Sequence, residues 1–136
     1  MKIIIDTNLW VSSCFGKHTA IMEDILLDKR YDVYVCKELV DEVMDVLSRP
    51  KISKYISSDD IHEIYGLLTR GCKMVAIKEH AISVIRDPKD LYLLSLADTI
   101  QADLILSGDK DLLTLEQHHS TRIISLSDFK EKHFYN

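Results

Sequence analysis

The chain has 136 residues, which fits a single domain over 1–136 and leaves little room for two. Hydrophobic residues make up 46% and charged residues 29%, enough apolar material for a real core and too much for disordered, collagen-like or low-complexity classes. A net charge of −5 argues against coating nucleic acid through bulk charge, though not against a local basic rim around an acidic site.

Lys2 to Ile5 is a short β-branched run that predicts a buried strand, with Asp6-Thr7-Asn8 as the turn after it. Ala20 to Leu27 has helical spacing, and Asp32 to Cys36 reads as a strand. From Lys37 to Ser48 a helix sets Leu39, Val40, Val43, Met44 and Leu47 on one face, and Arg49-Pro50 stops it. Ser57-Ser58-Asp59-Asp60 starts another helix, running to about Arg70 and ended by Gly71. Lys73 to Lys78 is a strand candidate, and Asp87-Pro88-Lys89-Asp90 opens a nearly all-apolar helix, Leu91 to Ile100. The strand Asp103 to Leu106 ends at Ser107-Gly108-Asp109, a short helix lies near Leu112, and strand Arg122 to Leu126 precedes a last helix from Ser127. Helices alternating with apolar strands predict an α/β fold, a central parallel sheet covered on both faces.

No apolar run approaches the roughly 18 residues of a membrane span, and Ile3 to Ile5 is too short for a signal peptide. The expectation is a soluble, cytoplasmic protein. Cys14, Cys36 and Cys72 are odd in number without a CxxC spacing, so reduced thiols are expected rather than a disulfide framework or zinc knuckle. GxGxxG, GxxxxGK[ST] and GxSxG are all absent.

In parallel sheets, ligands bind beyond the carboxyl ends of the strands. Asp6 ends the first strand there, Asp109 follows the strand ending at Leu106, and Asp90 begins the helix feeding that strand. The helix of residues 37–48 adds Asp41 and Glu42, which flank its apolar face about equally. Carboxylates converging on one edge repel unless something neutralises them, and Mg²⁺ or Mn²⁺ prefers oxygen ligands. Each acid also has a plainer reading. Asp6 can cap the turn, Asp87 and Asp90 can cap the helix that begins at Pro88, and Asp109 or Asp111 can cap the helix near Leu112. His118 and His119 are adjacent with no third ligand close in sequence, so they read as a surface or loop pair.

Taken together, these residues resemble PIN-domain ribonucleases. The start Ile3-Ile4-Ile5-Asp6-Thr7-Asn8 with Ser12-Ser13 resembles the family's first strand. The stretch from Cys36 through Glu42 to Leu47-Ser48-Arg49-Pro50-Lys51 resembles the helix carrying its glutamate. Arg86-Asp87-Pro88-Lys89-Asp90, Leu96-Ala97, Ala102-Asp103 and Ser107-Gly108-Asp109-Lys110-Asp111-Leu112-Leu113 resemble its third and fourth acidic motifs. Four ordered motifs along nearly the whole chain carry the resemblance, which is nearest to prokaryotic PIN proteins described as toxins of toxin–antitoxin pairs.

The resemblance implies a three-layer α/β/α fold and puts Asp6, Glu42, Asp90 and Asp109 at the acidic positions, choosing Glu42 over Asp41. Asp111 becomes an auxiliary metal ligand, while Thr7, Asn8 and Ser107 orient the carboxylates or the metal water. Asp90 is preferred to Asp87 because Ala97 lies at the expected helical offset from it. The implied activity is Mg²⁺- or Mn²⁺-dependent hydrolysis of single-stranded RNA, leaving 5′-phosphate and 3′-hydroxyl ends. A homodimer and an antitoxin partner are implied as well. Lys17, Arg49, Lys51, Lys54 and Lys110 are candidates for strand contacts, solubility being their other reading.

The alternative from another class is a catalytically silent PIN-like module that binds protein or RNA. A phospho-acceptor receiver domain needs an acidic pair after the first strand and a Lys after the last. Here Thr7-Asn8 follow Asp6, and Ser127-Asp128 follow the last strand. A phosphatase with an aspartyl nucleophile wants a second Asp where Asn8 stands.

Overall fold

Ile3, Ile4 and Ile5 are wholly buried, and the strand they form, β1 (Lys2–Ile5), sits inside the sheet with parallel neighbours on both sides. A strand covered on both faces has no use for alternating polar residues, hence the unbroken isoleucines. The computed structural model describes residues 1–81 and 88–134. Asp87 lies outside the described residues.

Among the described residues the strands are β1, β2 (Asp32–Val35), β3 (Lys73–Met74), β4 (Leu104–Leu106), β5 (Gln117–His118) and β6 (Thr121–Ile124). Their order is β3-β2-β1-β4-β6-β5, parallel throughout except for β5, which pairs antiparallel with β6. The chain builds β2 and β3 on one side of β1, then crosses to add β4 on the other. That reversal opens a crevice beyond the carboxyl ends of β1 and β4. The register Ile5↔Leu106 brings the residues after these two strands side by side.

The helices are α1 (Thr7–Cys14), α2 (Thr19–Leu27), α3 (Lys37–Ser48), α4 (Pro50–Ser53), α5 (Ser58–Gly66), α6 (Pro88–Ile100), α7 (Lys110–Leu115) and α8 (Leu126–Phe129). A π-helical turn, Leu67–Gly71, extends α5, and a second, Lys130–Phe134, follows α8. α1 packs on α3 and α5, while α6 packs on β1, consistent with the expected layers of helices around a sheet. The start of α5 is held by a capping box. Asp60 N donates to Ser57 Oγ at 3.1 Å, and Ser57 N donates back to Asp60 Oδ2 at 3.3 Å.

Several expectations are corrected. Asp6-Thr7-Asn8 is not a turn, because α1 begins at Thr7 directly after the strand. Its anchor is Trp10, whose Nε1 donates to the Ile5 carbonyl at 3.0 Å in the core. The strand expected over Lys73 to Lys78 keeps only Lys73–Met74 in the ladder. Beyond it the backbone turns to α6, where Thr99 Oγ1 accepts the Lys78 and Glu79 amides and Ser95 Oγ accepts that of Ala81. The final strand is Thr121–Ile124 rather than Arg122 to Leu126, and α8 starts at Leu126. The central parallel sheet stands as expected, with the hairpin β5–β6 adding one antiparallel strand at its edge. His118 on that hairpin is buried rather than part of a surface pair.

Trp10, the single tryptophan, is buried and reports unfolding by its fluorescence. Ile4→Ala in the fully buried β1 should cost about 2–5 kcal/mol. Leu27→Ala at a position 82% exposed should stay within about 0.5 kcal/mol. Equal denaturation midpoints for the two variants would contradict this placement of the core.

Candidate metal centre at the carboxyl edge of the sheet

Asp6 stands between β1 and α1, and its amide extends the ladder to the Leu106 carbonyl at 2.9 Å. Its carboxylate makes no capping bond to α1, so the capping role is not realised. Instead Ser107 Oγ donates to Asp6 Oδ2 at 2.7 Å, in the core. The same hydroxyl accepts the Asp109 amide at 2.9 Å. One serine thereby joins the end of β1 to the loop after β4.

Asp6 is only 5% exposed. Burial, the largest cause, pushes its carboxyl above the usual value, with the charges of Asp109 and Glu42 pushing the same way. The Ser107 hydroxyl and the Thr7 amide work in the opposite direction. Asp109 does cap α7, its Oδ1 accepting the Asp111 amide at 2.8 Å. That leaves its second carboxylate oxygen for other work. Asp90, buried at the start of α6, comes up to the same place from a different element. Asp90, Asp109 and Asp111 each offer one oxygen, and these oxygens lie within 4.8 Å of one another. Three carboxylates this close form an all-oxygen donor set suited to a hard divalent cation.

Glu42 and Asp41, equivalent by helical periodicity, are separated by the fold. Asp41 is exposed and pairs with Lys37 at 3.3 Å, one turn back on α3. Glu42 faces α6, where Tyr92 Oη donates to its Oε2 at 2.6 Å. Tyr92 Oη also lies 3.1 Å from Thr7 Oγ1, so the chain Thr7–Tyr92–Glu42 links α1, α6 and α3. Burial first, and the bond to Glu42 second, raise the Tyr92 phenol well above its ordinary value, so it remains a donor. The sequence reading missed Tyr92. Its signal was the one aromatic of a nearly all-apolar helix, a polar-tipped ring two residues after Asp90 and a residue type that needs a partner when buried.

Thr7 is buried and meets Tyr92 rather than a carboxylate through its side chain. Asn8 is exposed on the first turn of α1. The basic candidates Lys17, Arg49, Lys51, Lys54 and Lys110 are all exposed. Arg49 pairs with Asp45 at 3.1 Å, and Lys54 lies over the Tyr55 ring. Burial pushes the thiols of Cys14 and Cys36 up to about 11 and that of Cys72 up to about 12. All three are therefore thiols rather than thiolates at neutral pH in the metal-free chain.

A family model described as PIN domain matches residues 2–111. Among solved structures, the PIN domain of human SMG5 is similar over 97% of this chain and 98% of that one, with a TM-score of 0.55 and 14% identity. At that identity the likeness is one of fold. No curated protein sequence matches. With four fifths of its length inside the family model and the family's fold around its acidic edge, the chain belongs to the PIN-domain family.

Proposed function

We propose that the protein is a metal-dependent endoribonuclease that hydrolyses phosphodiester bonds of single-stranded RNA. The observation that carries this reading is the convergence of Asp90, Asp109 and Asp111 within 4.8 Å, beside an Asp6 held by Ser107. Acids packed this way favour a bound cation over an empty cluster, because the cation removes their mutual repulsion. The donors are all oxygens, which fits Mg²⁺ or Mn²⁺.

In this reading Asp6, Glu42, Asp90 and Asp109 hold the ion or its waters, with Asp111 as an additional ligand. When bound, the ion lowers the pKa of a coordinated water and offsets charge developing on the phosphoryl group. Ser107 fixes the Asp6 carboxylate and orders the Asp109 backbone, and Tyr92 fixes Glu42. Water adds across the P–O3′ bond, leaving a 5′-phosphate and a 3′-hydroxyl. Lys17, Arg49, Lys51, Lys54 and Lys110 supply exposed positive charge for the RNA strand. The protein acts in the cytoplasm as a homodimer, as the toxin of a pair whose antitoxin blocks the acidic crevice. The motif resemblance to prokaryotic toxins supports that role.

The decisive assay incubates mixed-sequence single-stranded RNA with purified protein in Mn²⁺, Mg²⁺ or EDTA. Cleavage is expected with either ion and none in EDTA. Asp6→Asn should reduce it by more than about 100-fold, since it removes ligand charge with little change in shape. Uncut RNA in both metals, with the protein folded, would favour a silent binding module. Equal cutting by wild type and Asp6→Asn would remove Asp6 from the site.

Tyr92→Phe should lower activity by about 10–100-fold, the usual loss when a partner of a ligand is removed. Its Mn²⁺ dependence should shift to higher concentration while the fold, read by Trp10 fluorescence, stays intact. An unchanged metal dependence would reduce Tyr92 to a packing residue.

Charge and stability are linked at Asp6. Because the folded chain holds its carboxyl above the ordinary 3.8, the associated stability is present below that value and is lost as pH rises through the folded one. At pH 7 in EDTA, Asp6→Asn should therefore melt at a higher temperature than wild type. Mn²⁺ should raise the wild-type midpoint more than the variant's. A variant that melts lower than wild type in EDTA would contradict the burial argument.

A further inference from the structure

At the other edge of the sheet, three side chains outside the acidic crevice meet. Asp98 lies two turns beyond Asp90 on α6, about 12 Å along the axis at 1.5 Å per residue. His118 Nε2 is 3.0 Å from Asp98 Oδ2, and His119 Nδ1 is 2.9 Å from Asp98 Oδ1. The two imidazole rings lie 4.2 Å apart between centroids, inclined by 31°. Neighbouring residues on a regular strand point to opposite faces. Here the backbone breaks that rule, with His119 at φ +51° as β5 turns into β6. This left-handed conformation is unfavourable for a residue with a Cβ. Gln117 Nε2 holds it by donating to the His119 carbonyl at 2.7 Å.

The geometry points to a second cation site, formed by Asp98, His118 and His119 and selective for a borderline transition ion of the Zn²⁺ class. Two imidazole nitrogens and a carboxylate oxygen are the donor set of three-ligand zinc sites, in which water takes the remaining position. Zn–N and Zn–O bonds of about 2.0–2.2 Å place neighbouring tetrahedral ligands roughly 3.3 Å apart. The observed 3.0 and 2.9 Å need only small side-chain shifts to admit an ion, and the three donor atoms already lie within 4.8 Å of one another. One side of the site is open and the other closed. His118 is 6% and Asp98 15% exposed, whereas His119 is 70% exposed.

The open side borders a cavity of about 920 Å³ lined by Lys2, Glu79, His80, Asp98 and His119 among others. An ion and its water can therefore enter from solvent. The nitrogen donors separate this site chemically from the all-oxygen cluster at the carboxyl edge, since imidazole suits Zn²⁺ and Mg²⁺ prefers carboxylate and water. The bound ion ties the β5–β6 hairpin to α6.

The test uses the untagged full-length chain, stripped of metal, in millimolar Mg²⁺ to occupy the oxygen cluster. Zn²⁺ is titrated by calorimetry, and Co²⁺ is titrated by visible absorption. One Zn²⁺ per chain should bind above the Mg²⁺ background, and Co²⁺ should give the ligand-field bands of nitrogen coordination. His119→Ala should weaken binding at least tenfold and abolish those bands. Because His119 is exposed, this variant should fold as wild type does. Asp98→Asn supplies a second test from the helix side. Zn²⁺ should also raise the wild-type melting temperature by about 4 °C or more and that of His119→Ala by clearly less at the same Zn²⁺ concentration. Zn²⁺ affinity unchanged in His119→Ala, or no Zn²⁺ binding to wild type in Mg²⁺, would overturn the site and leave a hydrogen-bonded clamp. RNA cleavage is not a readout here, so this result stands apart from the nuclease assay.

Discussion

The Ser107 hydroxyl is the interaction on which the acidic edge depends. Burial and two neighbouring negative charges oppose ionisation of Asp6, and the edge lacks a buried basic side chain among the described residues. What restrains the Asp6 carboxylate is a bond from Ser107 Oγ, itself fixed because it also accepts the Asp109 amide. The β1–β4 ladder supplies the framework, continuing through the Asp6 amide to the Leu106 carbonyl. Backbone pairing thus forces the acids together, and the Ser107 hydroxyl, with the Thr7 amide beside Asp6, orders them without cancelling their charge. Such an arrangement leaves electrostatic repulsion that a divalent cation, in the proposed function, would relieve.

The sheet was legible because its strands are written in the clearest code available. Ile3-Ile4-Ile5 and Leu104-Ile105-Leu106 are runs without polar interruption, as doubly covered parallel strands require. α3 was equally plain, since its apolar positions recur at helical spacing and Pro50 ends it. α1 was not. Asp-Thr-Asn has the composition of a turn, and Ser-Ser-Cys at the far end is a weak helix former. What makes this segment helical is tertiary: Trp10 docks on the Ile5 carbonyl, and the helix packs against α3 and α5. The shortened β3 has a similar origin, because Thr99 and Ser95 on α6 capture amides that a longer ladder would have used. Partners that lie 14 to 21 residues away leave no local pattern.

The candidate site divides in the same way. Asp6 and Asp109 follow from the rule about strand ends, Asp90 from its place at the start of the helix that feeds β4, and the fold brings the three to one edge. Periodicity left Asp41 and Glu42 equivalent, and only the three-dimensional contact with Tyr92 separates them. Tyr92 contributes a donor that does not compete for negative charge. Its proton, held by burial and by Glu42, lets it fix a carboxylate without neutralising it. Lys or Arg at that position would form an ion pair with Glu42 and offset its charge.

His118 and His119 show the limit of reading spacing along one segment. The search for a third ligand near them in sequence fails because Asp98 lies about 20 residues away, on the helix against which the hairpin closes. α6 therefore carries an acid near each end: Asp90 among carboxylates, and Asp98 among imidazoles. The two environments differ in donor hardness rather than in charge alone. Oxygen donors at one end favour Mg²⁺ or Mn²⁺, and nitrogen donors at the other favour ions higher in the Irving–Williams order. With both ends loaded, α6 would be fixed to β4 and α7 by one ion and to the β5–β6 hairpin by the other. The placement of Asp90 in the crevice would then depend on a helix held at both of its ends.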